Sequence, residues 1–328
     1  MPMPSLPRVR IVSPALAAAN NGNWHTAERW RRFLAARARV DIDVDWQAGE
    51  PVDVLIALHA RRSAAAIARF REAHPARPIV LVLTGTDLYR DIDVDAGARH
   101  SLQCASRLVV LQPEALQRLD ATLRARTRVI LQSAPRLLRH DTAARTVDLV
   151  AVGHLREEKD PLTLMRAVVR LPADAPLRVL HIGAALDPAL GRAAERTAAE
   201  HPRYRWLGGL PHPAARRWIA RSRALVHGSR MEGGANVVIE AVRSRVPVLA
   251  SRIDGNVGLL GRDYGGYFET GDDAALAALM RRFAAEPHFA AKLREHVLGL
   301  EPRFAPEAER AAVRALLADL VGAGAEGG

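Results

Sequence analysis

Two glutamates separated by seven residues, Glu232 and Glu240, are the side chains in this sequence best spaced to act on one ligand. Gly233 and Gly234 follow the first glutamate directly, and residues 235–243 have the pattern of a helix. Carboxylates accept hydrogen bonds strongly from hydroxyl groups, so the pair suits a ligand rich in hydroxyls, such as a sugar or a ribose. An ordinary amphipathic helix with two surface glutamates is the alternative explanation of this spacing.

Two short apolar runs, at residues 224–227 and 246–250, flank this segment. Because both are brief and bounded by turn or polar residues, they predict buried parallel strands joined through a loop and a helix. The first turn of a helix has N–H groups without partners inside the helix. We therefore expect the start of this helix to bind an anion, and a diphosphate fits such a site. The residues at that start are Gly233, Gly234, Ala235 and Asn236.

A second polar loop, from Gly153 to Pro161, follows the first predicted strand of the second half. It contains His154, Arg156 and Lys159, and the chain has only one lysine besides this one, Lys292. Positive side chains at the carboxyl end of a parallel strand can neutralise the phosphate groups of a ligand. A plain helix start is the alternative explanation of this loop.

Three loops in the first half also place polar residues after predicted strands, where open α/β sheets bind ligands. A glycine and an asparagine precede the first helix, a histidine and two arginines follow another strand, and a threonine and an aspartate follow the next. Turn formation, helix starts and solvated surface arginines are the alternative explanations. These residues are Gly22, Asn23, His59, Arg61, Arg62, Thr86 and Asp87.

Composition narrows the possible function classes. The chain has 328 residues, 49% of them hydrophobic, and a formal net charge of +11. Nearly all of the positive charge is arginine scattered along the chain, which argues against a continuous nucleic-acid-binding surface. A single cysteine, Cys104, allows no internal disulfide and is typical of a reducing cytoplasm. No apolar run is long enough to span a bilayer, so no stable membrane insertion is expected.

The order of the predicted elements indicates an α/β protein with mostly parallel sheets in two domains. We predict a first domain over residues 1–145 and a second over 146–305, joined by an irregular stretch that ends at Arg145. A helix predicted over residues 113–124 belongs to the first domain. The final helix, residues 306–321, is expected to pack back on that domain, and residues 322–328 are expected to be disordered.

The spacing of Glu232 and Glu240, followed by Ala241 and a Val-Pro-Val strand, resembles the donor-binding signature of retaining GT-B glycosyltransferases of family 4. The resemblance implies two facing Rossmann-like domains with a cleft between them. It implies that Glu232 binds hydroxyls of the transferred sugar, that Glu240 binds the ribose of the nucleotide, and that Lys159 neutralises the leaving diphosphate. His154 stands where the family has arginine, and we expect Arg156 to supply that charge.

The same resemblance implies roles for other residues. Gly22 and Asn23 would lie at the donor diphosphate, His59 at the donor sugar, and the main chain of Leu210 at the nucleobase. Thr86 and Asp87, with Arg61 and Arg62, would form the acceptor side. Thr84 departs from the family, which usually has histidine there.

Four stretches, residues 20–26, 58–63, 83–89 and 153–161, together resemble the selenosugar synthases of bacterial selenoneine biosynthesis. This resemblance implies transfer of a hexose or N-acetylhexosamine from a UDP-sugar to the selenium of selenophosphate. With no Asp-x-Asp pair at a strand end beside the site and no His/Cys cluster, we expect no metal and no cofactor.

Two alternatives stay open at this point. An ordinary family 4 transferase acting on a glycan, a lipid or a small-molecule hydroxyl would keep all of the donor residues. It would be favoured by an exposed aromatic patch near Trp24 and Trp30, which we predict instead to face the core. A basic nucleic-acid-binding protein would need a continuous arginine stripe. The sequence does not indicate an oligomeric state.

Overall fold

Short apolar runs form the strands of two separate parallel sheets in the computed structural model, which describes residues 6–19, 21–137, 147–172 and 174–325. The chain divides into two units. Unit 1 consists of Met1–Gln132 and Pro306–Gly328, and unit 2 consists of Ser133–Ala305. The predicted boundary at residues 145–146 lies outside the described residues.

Unit 1 has a six-stranded parallel sheet in the order β2-β1-β3-β4-β5-β6. The inner strands β3 and β4 are buried at every residue, as expected for strands covered by helices on both faces. The strands are β1 (Arg8–Val12), β2 (Arg39–Asp43), β3 (Val54–Leu58), β4 (Ile79–Leu83), β5 (Arg107–Val110) and β6 (Thr127–Val129). The helices are α1 (Gly22–Leu34), α2 (Ala64–Ala73), α3 (Ile92–Val94), α4 (Ala96–Cys104) and α5 (Ala121–Ala125).

The helix predicted over residues 113–124 is wrong as one element. The chain forms a 3-10 helix over Pro113–Arg118 and then the separate short helix α5. Asp120 interrupts the run because its side chain accepts a hydrogen bond from the Leu123 amide and so begins a new helix.

Unit 2 repeats the architecture in the order β12-β11-β10-β7-β8-β9, also all parallel. The strands are β7 (Val147–Val152), β8 (Leu177–Ile182), β9 (Tyr204–Trp206), β10 (Ala224–His227), β11 (Val248–Ser251) and β12 (Tyr267–Phe268). The helices are α6 (Pro161–Val169), α7 (Pro188–Glu200), α8 (His212–Arg221), α9 (Asn236–Arg243), α10 (Asp254–Leu260), α11 (Asp273–Ala285) and α12 (Pro287–Leu300).

The last helix, α13 (Pro306–Ala325), belongs to unit 1 and packs against α1. Glu309 of α13 is buried and accepts hydrogen bonds from Arg29 (2.7 Å) and from the indole N–H of Trp30 (2.8 Å). The helix runs four residues past its predicted end at residue 321, into residues 322–325 that were expected to be disordered, although two of these four residues are glycines, which disfavour helix. In the described part of the chain, no helix has the length and apolarity needed to cross a membrane.

Candidate functional site

Close backbone packing fixes the loops at the carboxyl ends of the unit 2 strands. A Cβ at Gly183, after β8, would lie 1.9 Å from the carbonyl oxygen of Gly153, after β7, so only glycine fits there. A Cβ at Gly255 would lie 2.3 Å from the carbonyl oxygen of Glu232. These two contacts position the loop that carries Lys159 and the loop that carries Glu232.

Lys159 and Glu232 form an ion pair at this edge of the sheet, with Nζ donating to Oε1. Both side chains are mostly buried, with exposed fractions of 21% for Lys159 and 13% for Glu232. The last residue of β10, His227, is buried, and its Nε2 lies 3.5 Å from the same carboxylate oxygen. The two residues that the sequence predicted to act on the sugar and the diphosphate are therefore in direct contact.

Electrostatics hold this cluster in one protonation state. Burial acts to raise the pKa of Glu232, but the Lys159 ammonium and His227 outweigh it and hold that pKa well below its usual range. Burial lowers the pKa of His227, which keeps its imidazole neutral at pH 7. The cluster therefore contains an ionised carboxylate and a neutral imidazole.

A small cavity of about 30 Å³ lies behind this cluster. Lys159, Asp160, His181, His227 and Ser229 contribute its polar lining. Among the described residues, buried Ser229 Oγ has no hydrogen-bond partner, and buried His227 Nε2 has only the 3.5 Å approach to Glu232. The cavity is the size of about one water molecule, and these two atoms are the kind of polar groups that hold one.

Helix α9 begins directly after the glutamate loop, and no side chain in the described part of the chain caps it. Its N-cap is Ala235, which cannot accept a hydrogen bond from the first-turn amides, and Asn236 is its first residue. Gly233 is buried and Gly234 is half-buried beside it. An uncapped helix start can bind a phosphate group through its own amides.

Glu240 lies on α9 with a side chain that is 7% exposed, and its Oε1 is 2.6 Å from Nε2 of His212. His212 is the first residue of α8. Leu210, the predicted nucleobase contact, lies two residues earlier in the loop after β9 and is half-buried. One hydrogen bond, from His212 to Glu240, therefore links the loop that carries Leu210 to the carboxylate predicted to bind the ribose.

The two residues expected to share the diphosphate charge with Lys159 have other contacts here. His154 Nδ1 accepts a hydrogen bond from the Ala184 amide at 3.2 Å, which leaves its proton on Nε2. Arg156 lies 3.9 Å from Glu158, with a side chain that is 44% exposed. Neither residue pairs with Glu232 among the contacts of the described residues.

In unit 1, the predicted acceptor-side residues gather at the carboxyl ends of β3 and β4. His59 has a left-handed backbone (φ 75°), is buried, and places Nε2 3.0 Å from Thr86 Oγ1. The Arg62 amide donates to His59 Nδ1 at 3.4 Å, so the ring proton is on Nε2. Burial lowers the pKa of His59 despite the nearby Asp87.

Asp87 is fully buried, and both of its oxygens accept backbone hydrogen bonds. The amides of Thr84, Gly85 and Ala60 donate to it at 2.8 to 2.9 Å. Asp87 therefore ties the loop after β3 to the loop after β4, and its contribution to an acceptor site is to position those loops.

The two adjacent arginines have different partners. Arg61 donates to Asp91 Oδ2 at 2.8 Å. Burial acts to raise the pKa of Asp91, but Arg61 and Arg90 hold it below its usual value. Arg62 is exposed, and no carboxylate of a described residue lies within ion-pairing distance. Arg62 therefore presents an uncompensated positive charge.

The start of α1 places the predicted glycine and asparagine in the first turn. Asn21 accepts a hydrogen bond from the Trp24 amide and caps the helix, Gly22 is exposed, and Asn23 is half-buried. Trp30 is fully buried in the core of unit 1. The exposed aromatic patch that would favour a membrane-docking transferase is therefore not formed by Trp30.

In the residues that the structure describes, no group of three or more His, Cys, Asp or Glu side chains has the arrangement of a metal site.

Sequence reasoning missed two site residues, His212 and His227. Each is the terminal residue of a regular element, His212 of α8 and His227 of β10. A histidine at the carboxyl end of a predicted parallel strand was the available signal for His227. His212 had no comparable signal, because its contact with Glu240 spans 28 residues.

The sequence matches known proteins mainly through unit 2. Residues 146–286 match the family model described as "Glycosyl transferases group 1". A curated relative, "Glycosyltransferase 1 domain-containing protein 1" from Xenopus tropicalis, is 31% identical over 140 residues. That alignment spans 42% of this chain and 40% of the relative, so the chain matches less than half of the relative's length.

Solved structures match over a longer part of the chain, at low identity. HepE from Anabaena, in complex with UDP-glucose, has a TM-score of 0.74 at 15% identity, over 95% of this chain and 100% of HepE. Sucrose-phosphate synthase from Thermosynechococcus elongatus has a TM-score of 0.75 at 19% identity, over 97% of this chain and 100% of that chain. Such identities establish the fold alone. The chain has the GT-B fold, and its residues 146–286 are similar to the group 1 glycosyltransferases.

Proposed function

We propose that this protein is a glycosyltransferase that takes a sugar from a UDP-sugar bound in unit 2. The contact between Lys159 and Glu232 at the uncapped start of α9 is the observation that carries the proposal. A cation suited to a diphosphate, a carboxylate suited to sugar hydroxyls and a helix start suited to a phosphate lie together at one sheet edge. HepE, which shares the fold, is described in complex with UDP-glucose, and this supports the choice of nucleotide.

Departure of the nucleotide is the step that these residues assist. The bond between the anomeric carbon and the diphosphate oxygen breaks, and negative charge builds up on the diphosphate. Lys159 and the α9 amides stabilise that charge, and Arg156, which lies 3.9 Å from Glu158, adds positive charge to the same loop. In this proposal the reaction needs no metal, because these groups provide the positive charge.

The finer proposal is that the acceptor is selenophosphate, which makes the protein a selenosugar synthase. Its support is the joint resemblance of residues 20–26, 58–63, 83–89 and 153–161 to that family. The uncompensated charge of Arg62 suits a small, highly charged anion. In this reaction C1 of the sugar bonds to selenium, UDP leaves, and water takes the phosphoryl group from selenium as phosphate.

A selenium anion is already a strong nucleophile and needs little general-base assistance. His59 is not arranged as a base, because its Nδ1 accepts from the Arg62 amide and its Nε2 proton is directed to Thr86 Oγ1. A hydroxyl acceptor would need a base to remove its proton. An ordinary family 4 transferase with a hydroxyl acceptor is the alternative, although the burial of Trp30 gives it no support.

Product analysis by mass spectrometry tests the proposal. Purified protein is incubated with UDP-glucose or UDP-N-acetylglucosamine, and with selenophosphate, thiophosphate or no acceptor. We expect a selenium-containing hexose with an equal amount of UDP only when selenophosphate is present. UDP binding without a selenosugar would overturn the acceptor and leave the donor proposal standing, whereas absence of UDP binding would overturn both.

A further inference from the structure

Glu240 is almost completely buried, and a buried carboxylate needs hydrogen-bond donors to hold one orientation. His212 supplies such a donor, because its Nε2 lies 2.6 Å from Glu240 Oε1. Oε2 makes no hydrogen bond with the described part of the chain. The contact therefore fixes one oxygen of the carboxylate and leaves the other for a ligand.

The backbone around His212 is unusually restricted. Pro211 is the N-cap of α8 and Pro213 follows His212, so prolines with fixed φ angles flank the histidine on both sides. An imidazole on such a backbone has few alternative positions. The orientation of Glu240 is thus set by the loop that carries Leu210, the predicted nucleobase contact.

We propose that His212 is a positioning residue that makes the nucleotide site selective for a nucleoside diphosphate with intact ribose hydroxyls. The inference rests on the proposed function, since it assumes that Glu240 binds the ribose of UDP. His212 holds Oε1, and Oε2 then accepts from the ribose 2′- and 3′-hydroxyls. A nucleotide without those hydroxyls gains nothing from this orientation.

Calorimetric titration with UDP and with 2′,3′-dideoxy-UDP tests the proposal on the full chain. In the His212→Ala variant, the Kd of UDP should rise about tenfold, as expected when a charge-assisted hydrogen bond is lost. The Kd of the dideoxynucleotide should not change. His212→Gln, which keeps a donor, should recover part of the affinity for UDP. The exposed His288, on α12, provides a matched control in His288→Ala.

Each other outcome overturns the proposal. Equal weakening of both nucleotides in His212→Ala would mean that His212 only supports the fold of the loop. Unchanged binding of both would mean that Glu240 keeps its orientation without His212. If wild-type protein binds no UDP, the proposed function itself fails, and this result is distinct from the first two.

Discussion

Asp87 in unit 1 and Glu232 in unit 2 are both carboxylates that follow the carboxyl end of a parallel strand, yet they have different partners. Asp87 accepts from three backbone amides and is fully buried. Glu232 pairs with the side chain of Lys159 and keeps 13% of its side chain exposed.

Backbone amides are fixed by the fold, whereas a lysine side chain can exchange its partner for a ligand. A carboxylate at a sheet edge can therefore hold loops in place or bind a ligand, depending on whether its hydrogen-bond donors are backbone amides or side chains. In unit 1, Asp87 stabilises the loops, and the exposed Arg62 carries the positive charge that could bind an anion. Unit 2 instead holds Glu232 and Glu240 through the side chains of Lys159 and His212.

Removing Asp87 should give the largest effect. Asp87→Ala leaves two buried amides and one part-buried amide without an acceptor, and we expect the free energy of unfolding of unit 1 to fall by about 4 kcal/mol. The affinity for UDP should stay unchanged, because the nucleotide residues are in unit 2. Urea denaturation and UDP titration measure the two quantities.

The exposed Asp93, which pairs with Arg118 at the surface, provides the control for that experiment. Asp93→Ala should change the free energy of unfolding by less than about 1 kcal/mol. Loss of UDP affinity in Asp87→Ala would contradict the assignment of Asp87 as a structural carboxylate that takes no part in nucleotide binding.

Lowering the pH should destabilise unit 2 through His181, a buried histidine that lines the same cavity as Lys159. Burial lowers the pKa of His181 to about 4, whereas an unfolded chain binds that proton near pH 6.5. Because the folded pKa is the lower one, stability is complete above pH 6.5 and falls as the pH drops toward 4, by roughly 3 kcal/mol.

In His181→Asn this part of the pH dependence should disappear, while the exposed His288→Asn should retain it. The measurement is the free energy of unfolding at several pH values. An unchanged pH profile in His181→Asn would show that the acid sensitivity comes from other groups.

Replacing Glu232 should slow the transfer of the sugar. Glu232→Ala removes a charge-assisted hydrogen bond to the sugar and should lower the rate of UDP release from a UDP-sugar by about 30-fold. The exposed Glu295, on α12, is the matched control, and Glu295→Ala should keep the wild-type rate. A wild-type rate in Glu232→Ala would place Glu232 in the same structural class as Asp87.

The smallest effect is expected at Arg62. Arg62→Ala should raise the KM for the acceptor anion about fivefold, because an exposed guanidinium contributes modestly to anion binding. The KM for the UDP-sugar should not change. Arg37→Ala, which removes another exposed arginine of unit 1, is the control. An equal change in the KM values of the acceptor and the UDP-sugar would contradict the assignment of Arg62 to the acceptor site alone.

Much of the fold follows from the sequence, because buried parallel strands are short apolar runs with clear ends. The runs at β10 and β11 were both predicted. The break at Asp120 was not predicted, since a cap within a helical pattern depends on one side-chain hydrogen bond. The hydrophobic periodicity of the sequence does not indicate such a hydrogen bond.

The site was less predictable than the fold. Glu232 and Lys159 were singled out, but their direct contact joins residues 73 positions apart. The burial of Asp87 and its three backbone donors were not predicted, because both are set by the packing of two loops. His212 was missed because its partner is distant in sequence. The assigned roles of the site residues stay predictions.

Equilibrium binding of UDP to wild type, Lys159→Ala and Lys292→Ala tests the central claim most directly, that Lys159 at the edge of unit 2 binds the nucleotide diphosphate. These variants remove the chain's two lysines one at a time, and Lys292 is exposed on α12. We predict that Lys292→Ala binds UDP as the wild type does and that Lys159→Ala binds it at least about tenfold more weakly. Equal affinity in all three proteins would contradict the account.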